Sequence, residues 1–301
     1  MGRVLVVGKT GQVAYELSRA AWPARLAPEF IGRDQLDLTR IDDIAPLVMR
    51  ARPRIVVNAA AFTAVDAAET QLEMAYAVNR DAAAALAAAC HQIGATLIHY
   101  STDYVFDGTK SGTYLEDDAI NPKSVYGASK AAGEAAIRER CAAHVIIRTS
   151  WVYAPVGHNF VRTMLRLGAE RDELRIVDDQ HGSPTAAADL ARAAIAVSAA
   201  IDAGQTDAFG TFHFSGGGET TWYGFAREIF RLAAQRGIRV PRVVTPIATA
   251  EYPLPAPRPA NSRLNCGKIA RVYGLVAPNW QSAVAVCLDE LIGPGPTVST
   301  H

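Results

Sequence analysis

The chain has 301 residues, 50% hydrophobic and 20% charged, and its 30 Lys and Arg balance its 30 Asp and Glu to a formal net charge of +0. That length allows one large domain or two coupled ones around a substantial core. The charge balance leaves no basic footprint for nucleic acid and no polybasic patch for a membrane surface. No apolar run reaches membrane-spanning length. The expected partner is therefore a small molecule, with no nucleic acid and no membrane. Cys90, Cys141, Cys266 and Cys287 lie far apart and form no CxxC pair, as expected of reduced thiols in the cytoplasm. The first strand begins at Arg3, which leaves no room for an export signal before it.

From Arg3, RVLVVGKTGQVAYELSRAA gives a short β-branched run, two glycines and a helical pattern. Gly8-Lys9-Thr10-Gly11-Gln12-Val13-Ala14 thus sits between a strand and a helix. There, backbone N–H groups and the helix dipole can meet a pyrophosphate. The spacing is GxxGxxA rather than GxGxxG, and a tight structural turn is the alternative. PEFIGRD is a second strand ending in Gly32-Arg33-Asp34, where a dinucleotide's ribose is selected. Arg33 leans toward the 2′-phosphate of NADPH, while Asp34 keeps NADH open; a solvated surface arginine is the alternative. Asp37 and Leu38 are candidates to contact the adenine, unless Asp37 caps the next helix.

IDDIAPLVMRARP follows as an amphipathic helix, then RIVVNAAA as a buried strand and NRDAAAALAAACHQIGA as a small-residue helix. TLIHYSTD is a fourth strand, 128–137 a helix and AHVIIRTSWVY a fifth strand. Apolar strands alternating with helices predict an α/β fold: a doubly wound, parallel, Rossmann-type sheet covered on both faces. Past Tyr153 the rhythm changes. NFVRTMLRLGAERDELRIVDDQHGSPT reads as helix then strand, AADLARAAIAVSAAIDA as a helix, and GTFHFSGGGETTWYGFAREIFRLAAQRG as strand, glycine loop and helix. PIATAEYPLPAPRPANSRLN is too broken for regular structure and reads as an ordered loop or lid. The expected organisation is a dinucleotide-binding domain from 1–153 and about 186–216, interleaved with a smaller α/β substrate-binding domain from about 154–185 and 217–292. A flexible tail is expected over 293–301.

Ligands of such sheets bind outside the carboxyl ends of the strands. There HYSTDYVFDG ends a strand with Ser101, Thr102 and Asp103, and VYGASKAAGE opens the next helix with Tyr126 and Lys130 four residues apart on one face. A hydroxyl at Thr102 and a phenol at Tyr126 can hold a carbonyl between them, although Thr102 alone is equally a turn cap. Bringing a tyrosine from about 10 to about 7 takes roughly 4 kcal/mol. One charge about 4 Å away at an effective dielectric of ~20 supplies about that much. Lys130 is therefore expected to lower the Tyr126 pKa, and the chemistry to be reduction. The seven histidines show no metal-ligand spacing, and no GxSxG elbow is present.

These residues resemble the extended short-chain dehydrogenase/reductase superfamily. Longer strings are similar to the dTDP-4-dehydrorhamnose reductase family: GKTGQVAYEL, VVNAAAFTAVDAAE, HYSTDYVFDG, VYGASKAAGE, RTSWVYA, NFVRTML, DDQHGSPT and RPANSRLN, spread over nearly the whole chain. The resemblance implies reduction of the C4 ketone of dTDP-4-dehydro-β-L-rhamnose by NADPH or NADH. It makes Tyr126 the proton donor, Lys130 the group that orients the cofactor and Thr102 a tuning hydroxyl. It places Thr10, Gly11, Gln12 and Val13 at the pyrophosphate, Ala61, Phe62 and Thr63 along the cofactor, and Tyr100 beside the nicotinamide. Thr102, Asp103 and Trp151 would touch the sugar. An indole suits a deoxysugar face, with a core tryptophan as the alternative.

Arg258 is a candidate for the substrate diphosphate, unless it binds loop carbonyls; Asn159 and Arg162 are weaker candidates of the same kind. Ala14 replaces the third glycine, a small-for-small change. The resemblance also implies a homodimer, in some members through a metal held by surface acids. Glu16 matches one such acid, but Ala188 stands where another is expected, with Asp189 beside it, and no metal is expected here. Two other readings stay open. One is another nucleotide 4-keto-6-deoxysugar as substrate. The other is a non-catalytic role like that of the regulatory subunit of methionine adenosyltransferase, against which the intact Thr102, Tyr126 and Lys130 set argues.

Overall fold

A computed structural model describes residues 2–205 and 208–294. Its centre is a six-stranded parallel sheet. The first five strands are β1 (Gly2–Val7), β2 (Leu26–Ile31), β3 (Ile55–Asn58), β4 (Thr96–Thr102) and β5 (His144–Thr149), and the sixth is Gly210–His213. In space they run β2-β1-β3-β4-β5 and then Gly210–His213. The order in which strands are added therefore reverses between β1 and β3, the place where doubly wound sheets open a crevice at their carboxyl edge.

β3 and β5 are buried along their whole length, as a strand covered on both faces must be. Alternate residues feed two cores, as the two-residue period of a strand requires. Leu5, Val7, Val56, Leu97 and Ile146 pack with Ala83 and Leu86 on one face. Val4, Val6, Ile55, Val57, Ile98 and Val145 pack with Leu190 and Ala194 on the other. A third core joins Tyr153, Val161, Leu174, Phe225, Ile229 and Val284. It is built on the helices Phe160–Glu170, Trp222–Gln235 and Trp280–Ile292, and on the parallel pair Glu173–Val177 with Val243–Ile247.

Several boundaries differ from expectation. The helix expected over 128–137 runs Val125–Arg140, because Ser124 caps it by accepting from Gly127 N at 3.1 Å. The fifth strand stops at Thr149 because Trp151 takes a left-handed φ of 48°. Val152–Tyr153 pairs instead with Thr185–Ala186. In the late proline-rich segment, Pro246 and Ile247 belong to a strand and Thr249–Glu251 forms a 3-10 turn, before an irregular stretch. That stretch is docked: Asn261 Nδ2 donates to the Lys110 and Gly112 carbonyls at 2.7 and 2.8 Å. From residue 295 on, the expected tail lies outside the described residues. Among the described residues no helix is long and apolar enough to cross a membrane.

Helix Val125–Arg140 lies unusually close to its neighbours. A Cβ on Gly127 would stand 2.2 Å from the Tyr104 carbonyl oxygen, and one on Gly133 would stand 2.1 Å from that of Asn79. Both contacts are with backbone, which cannot swing aside. Gly133→Ala should therefore destabilise the protein by about 3 kcal/mol through overpacking. Urea unfolding would show this as a lower midpoint at unchanged slope, whereas an unchanged midpoint would contradict the close approach.

Candidate active site

The carboxyl edge of the sheet gathers three groups of residues around the reversal point. The first is the turn after β1. Gly8 has a φ of 116°, and a Cβ there would lie 3.2 Å from the Ala59 carbonyl carbon. Gly11 caps helix Gln12–Arg19 with no side-chain hydrogen bond. Its first N–H groups are therefore left without side-chain acceptors, which suits an anion. Thr10 and Gly11 are exposed, and Val13 packs against the sheet core. Ala14 is fully buried, so the small-for-small change keeps the helix close. This turn fits a dinucleotide diphosphate: only glycine tolerates the Gly8 conformation and contact, and the bare helix end supplies donors.

At the end of β2, Arg33 is exposed and pairs with Asp37 at 3.2 Å. Asp37 does not cap the next helix; its carboxylate accepts from Thr39 N at 3.0 Å and Thr39 Oγ1 at 2.8 Å. Those bonds hold its pKa below the usual range, with the Arg33 guanidinium adding to them. Leu38 is buried in the core on this face. Lys9, which the sequence reading passed over, runs beside Gly32 and brings a second cation to this corner.

The loop after β3 carries Ala61, Phe62 and Thr63 and is clamped by a residue that sequence reasoning missed. Asn79 Oδ1 accepts from Phe62 N at 2.9 Å, and its Nδ2 donates to Phe62 O and to Ser129 Oγ, each at 3.0 Å. Asn79 sits in a π-turn, Ala77–Asp81, within what reads in sequence as one regular helix. Such turns recur at functional sites, but no residue type announces them.

The second group is the reacting set. Tyr126 is half-buried, and its phenol lies within the influence of the Thr102 hydroxyl. Tyr104 packs edge-on against the Tyr126 ring, with centroids 5.5 Å apart. Thr102 Oγ1 also accepts from Tyr104 N at 3.2 Å and lies 3.1 Å from Asp103 Oδ1. Burial pushes the Tyr126 phenol up to about 12; the Thr102 hydroxyl opposes this and the Asp103 charge adds to it.

The expectation that Lys130 lowers the phenol is therefore corrected. Lys130 shares the helix face, but its chain turns to β4, where Nζ donates to the Tyr100 carbonyl at 2.6 Å and lies 3.2 Å from His99 Nε2. Burial brings Lys130 itself down to about 8, against the pull of Glu134. Tyr100 enters the site through that carbonyl; its phenol points to the opposite face and donates to Leu190 O at 2.9 Å. The Glu134 carboxylate is fully engaged, taking Arg148 Nε at 2.9 Å and Arg148 Nη2 at 2.7 Å.

The third group faces the late segment. Thr102 Oγ1 donates to the buried Asp103 Oδ1 at 3.1 Å and Ser262 also favours its charged form, yet burial still pushes the carboxyl up to about 6. Arg258 pairs with Asp66 at 2.7 Å and donates to Ala256 O at 2.9 Å, so its guanidinium is partly committed within the loop. Asn159 is fully used: it caps helix Phe160–Glu170, and its Nδ2 donates to Gln12 Oε1, Ala154 O and Val156 O. Arg162 donates to Pro155 O at 2.6 Å. These two residues tie the 154–159 loop to the glycine turn rather than offering free donors.

Trp151 stacks on Trp222 at 3.7 Å between centroids, with planes 12° apart. It is backed by Gly182, where a Cβ would come within 2.5 Å of the indole. Trp222 and its partner Gln180, bonded at 3.1 Å, are further residues the sequence reading did not single out.

Away from this edge, Glu16 and Asp189 line a cleft of about 150 Å³ with Glu290 and Arg192. Asp189 pairs with Arg192 and Glu290 with Arg19. Among the described residues no group of three His, Cys, Asp or Glu could hold a metal ion.

A half-buried phenol beside a strand-end hydroxyl can give a proton to a carbonyl oxygen, and a bare helix N-terminus two strands away can hold a diphosphate. This places the protein in the short-chain dehydrogenase/reductase class. A sequence model of the family described as RmlD substrate binding domain matches residues 2–292, and the chain belongs to that family. It is 45% identical to the dTDP-4-dehydrorhamnose reductase of Escherichia coli (strain K12), over 96% of this chain and 97% of that one. It is 44% identical to the enzyme of the same name from Burkholderia thailandensis, over 96% and 99%. The crystal structure of dTDP-4-dehydrorhamnose reductase from Bacillus anthracis str. Ames in complex with NADP superposes with a TM-score of 0.87 at 36% identity, covering 96% of this chain and 100% of that one.

The raised carboxyl of Asp103 has a testable consequence. Its native pKa near 6 lies above the ~3.9 of an unfolded aspartate. The native state therefore holds the proton longer, and this group's contribution to stability falls as pH rises from about 4 to 6. Asp103→Asn removes that loss. Its stability relative to wild type should climb by up to about 3 kcal/mol across that window and then level off. Denaturant titrations at pH 4, 5, 6 and 7 measure it, and a flat difference would contradict the assignment.

Proposed function

We propose that this chain uses NADPH to reduce the C4 ketone of dTDP-4-dehydro-β-L-rhamnose, giving dTDP-L-rhamnose. The observation that carries the mechanism is the convergence of Tyr126 and Lys130, from one helix face, with Thr102 at the carboxyl end of β4. Gly8, Thr10, Gly11, Gln12 and Val13 would receive the cofactor diphosphate on the bare helix N-terminus. Arg33 and Lys9 would face the ribose 2′-phosphate, which favours NADPH over NADH. Ala61, Phe62 and Thr63, held by Asn79, would line the cofactor, and Lys130 would bind its ribose.

NADPH, once bound, supplies the hydride. Tyr126 donates its proton to the ketone oxygen, which Thr102 holds in line by a second hydrogen bond. Asp103 and the Trp151–Trp222 stack would contact the sugar. Arg258, released from Asp66, would meet the diphosphate. In this reading residues 1–153 and about 186–216 serve the cofactor, and about 154–185 and 217–292 serve the sugar. The neutral charge balance and free thiols support a cytoplasmic enzyme that works without nucleic acid.

Tyr126→Phe should lower kcat by at least about 100-fold, the usual worth of a positioned general acid, while NADPH binding read by fluorescence stays within about twofold. Unchanged turnover would remove Tyr126 from the mechanism. Arg33→Ala should raise the KM for NADPH roughly tenfold, about 1.4 kcal/mol, and leave the KM for NADH unaltered. Equal effects on both cofactors would show that Arg33 does not meet the 2′-phosphate.

A further inference from the structure

Behind Tyr126 a line of buried polar groups runs from β3 to Lys130, and the reaction proposed above gives two of them, Asn58 and His99, no task. Asn58 and His99 are each 1% exposed and Lys130 2%. The polarity of the line can be read from one end. The Ala60 backbone N–H can only donate, and it donates to Asn58 Oδ1 at 3.2 Å. That orients the amide, so Asn58 Nδ2, also only a donor, faces His99 Nδ1 at 3.0 Å. Nδ1 must accept, and a neutral His99 then carries its one proton on Nε2. Nε2 faces Lys130 Nζ at 3.2 Å. An ammonium has three N–H groups and no lone pair, so it cannot receive that proton donor; a neutral amine can. The bond from Nζ to the Tyr100 carbonyl suits either form.

We propose that Asn58 locks His99 in its Nε2–H tautomer, and that His99, as a positioning residue, thereby favours the neutral amine of Lys130 in the cofactor-free protein. The surrounding charges agree. From the helix itself, Glu134 is the carboxylate that acts on Lys130, and it is claimed by Arg148 of β5 and by Arg138. β3 contributes the uncharged Asn58 and β4 the His99 ring and the Tyr100 carbonyl. Burial acts in the same direction, lowering Lys130 to about 8 and holding His99 well below its ordinary value. In the reaction as proposed, Lys130 binds the cofactor ribose, and its charged form, with three N–H donors, is the better partner for the ribose hydroxyls. The lock would thus set the pH above which reduction slows. That consequence rests on the reductase reading; the lock itself does not.

The test uses cofactor-free, full-length protein labelled with 15N-histidine and 13Cε-lysine, with the Lys130 signal assigned by Lys130→Arg. The His99 nitrogens should report Nε2–H, and Lys130 should titrate at or below about 8. Asn58→Asp still accepts from Ala60 N but now also accepts at Nδ1, which moves the ring proton to Nδ1 and turns Nε2 into an acceptor. It should raise the Lys130 midpoint by at least one unit. His99→Gln, whose amide oxygen can face the ammonium, should do the same. Asn58→Asp also adds a buried negative charge that would raise the midpoint by itself. The deciding variant is therefore the uncharged His99→Gln, in which a merely structural role would leave the midpoint in place. An Nδ1–H tautomer or an imidazolium in the wild type overturns the proposal, as does a midpoint unmoved in His99→Gln. The alkaline limb of kcat/KM should move up with the midpoint in Asn58→Asp. Its failure to do so, with the NMR shifts as expected, would count against the reductase reading of Lys130 and leave the lock standing.

Discussion

The site depends on how closely helix Val125–Arg140 can lie against the ends of the strands beside it. Gly127 rests on the Tyr104 carbonyl and Gly133 on that of Asn79, at distances no side chain would permit. Tyr126 immediately precedes the first of these contacts, and Lys130 sits between the two. The close approach carries the phenol to Thr102 and lets the lysine reach across to β4. A helix held an ångström or two further out would leave both groups pointing at the right region without touching it. Ser129, bonded to Asn79, fastens the same surface to the loop after β3. One packing decision therefore positions the proton donor, the lysine and the proposed cofactor wall together.

A buried ion pair secures the same face of that helix one turn further on. Glu134 and Arg148 face each other through two hydrogen bonds, with side chains 0% and 3% exposed. Such a pair adds little net stability, but loss of one partner strands a buried charge at a cost of about 3–5 kcal/mol. Its effect on the site is electrostatic. Glu134 stands one turn beyond Lys130, and Arg148 keeps that carboxylate from becoming the lysine's private counter-ion. The lysine is left among neutral groups, His99 and a carbonyl, where small changes in hydrogen bonding decide its charge.

Much of this was legible in the sequence, and the limits are physical. The glycine turn and the alternation of apolar strands with helices announce the sheet, because backbone conformation and two-sided burial restrict residue type directly. The four-residue spacing of Tyr126 and Lys130 places both on one helix face, and there they are. Spacing along a helix does not tell where a long side chain ends, however. Lys130 Nζ follows its hydrogen-bond acceptors to β4, and burial leaves the phenol's pKa raised.

Asn159, Arg162 and Arg258 carry the donors a phosphate would want, but in this fold their first obligations are to caps, loop carbonyls and Asp66. Asn79 escaped notice because a π-turn has no sequence signature. Trp222 escaped because its partner, Trp151, is 71 positions earlier and turned toward it by a left-handed φ. Lys9 was hidden inside the glycine motif, where attention goes to the residues without side chains.

The central claim is that this edge of the sheet performs ketone reduction on a nucleotide sugar. The most direct measurement is NADPH oxidation by the purified protein given dTDP-4-dehydro-β-L-rhamnose, with the product's C4 configuration read by NMR. The account predicts stoichiometric oxidation and dTDP-L-rhamnose as the product. Tight NADPH binding with no oxidation, or a product of the opposite C4 configuration, would contradict it.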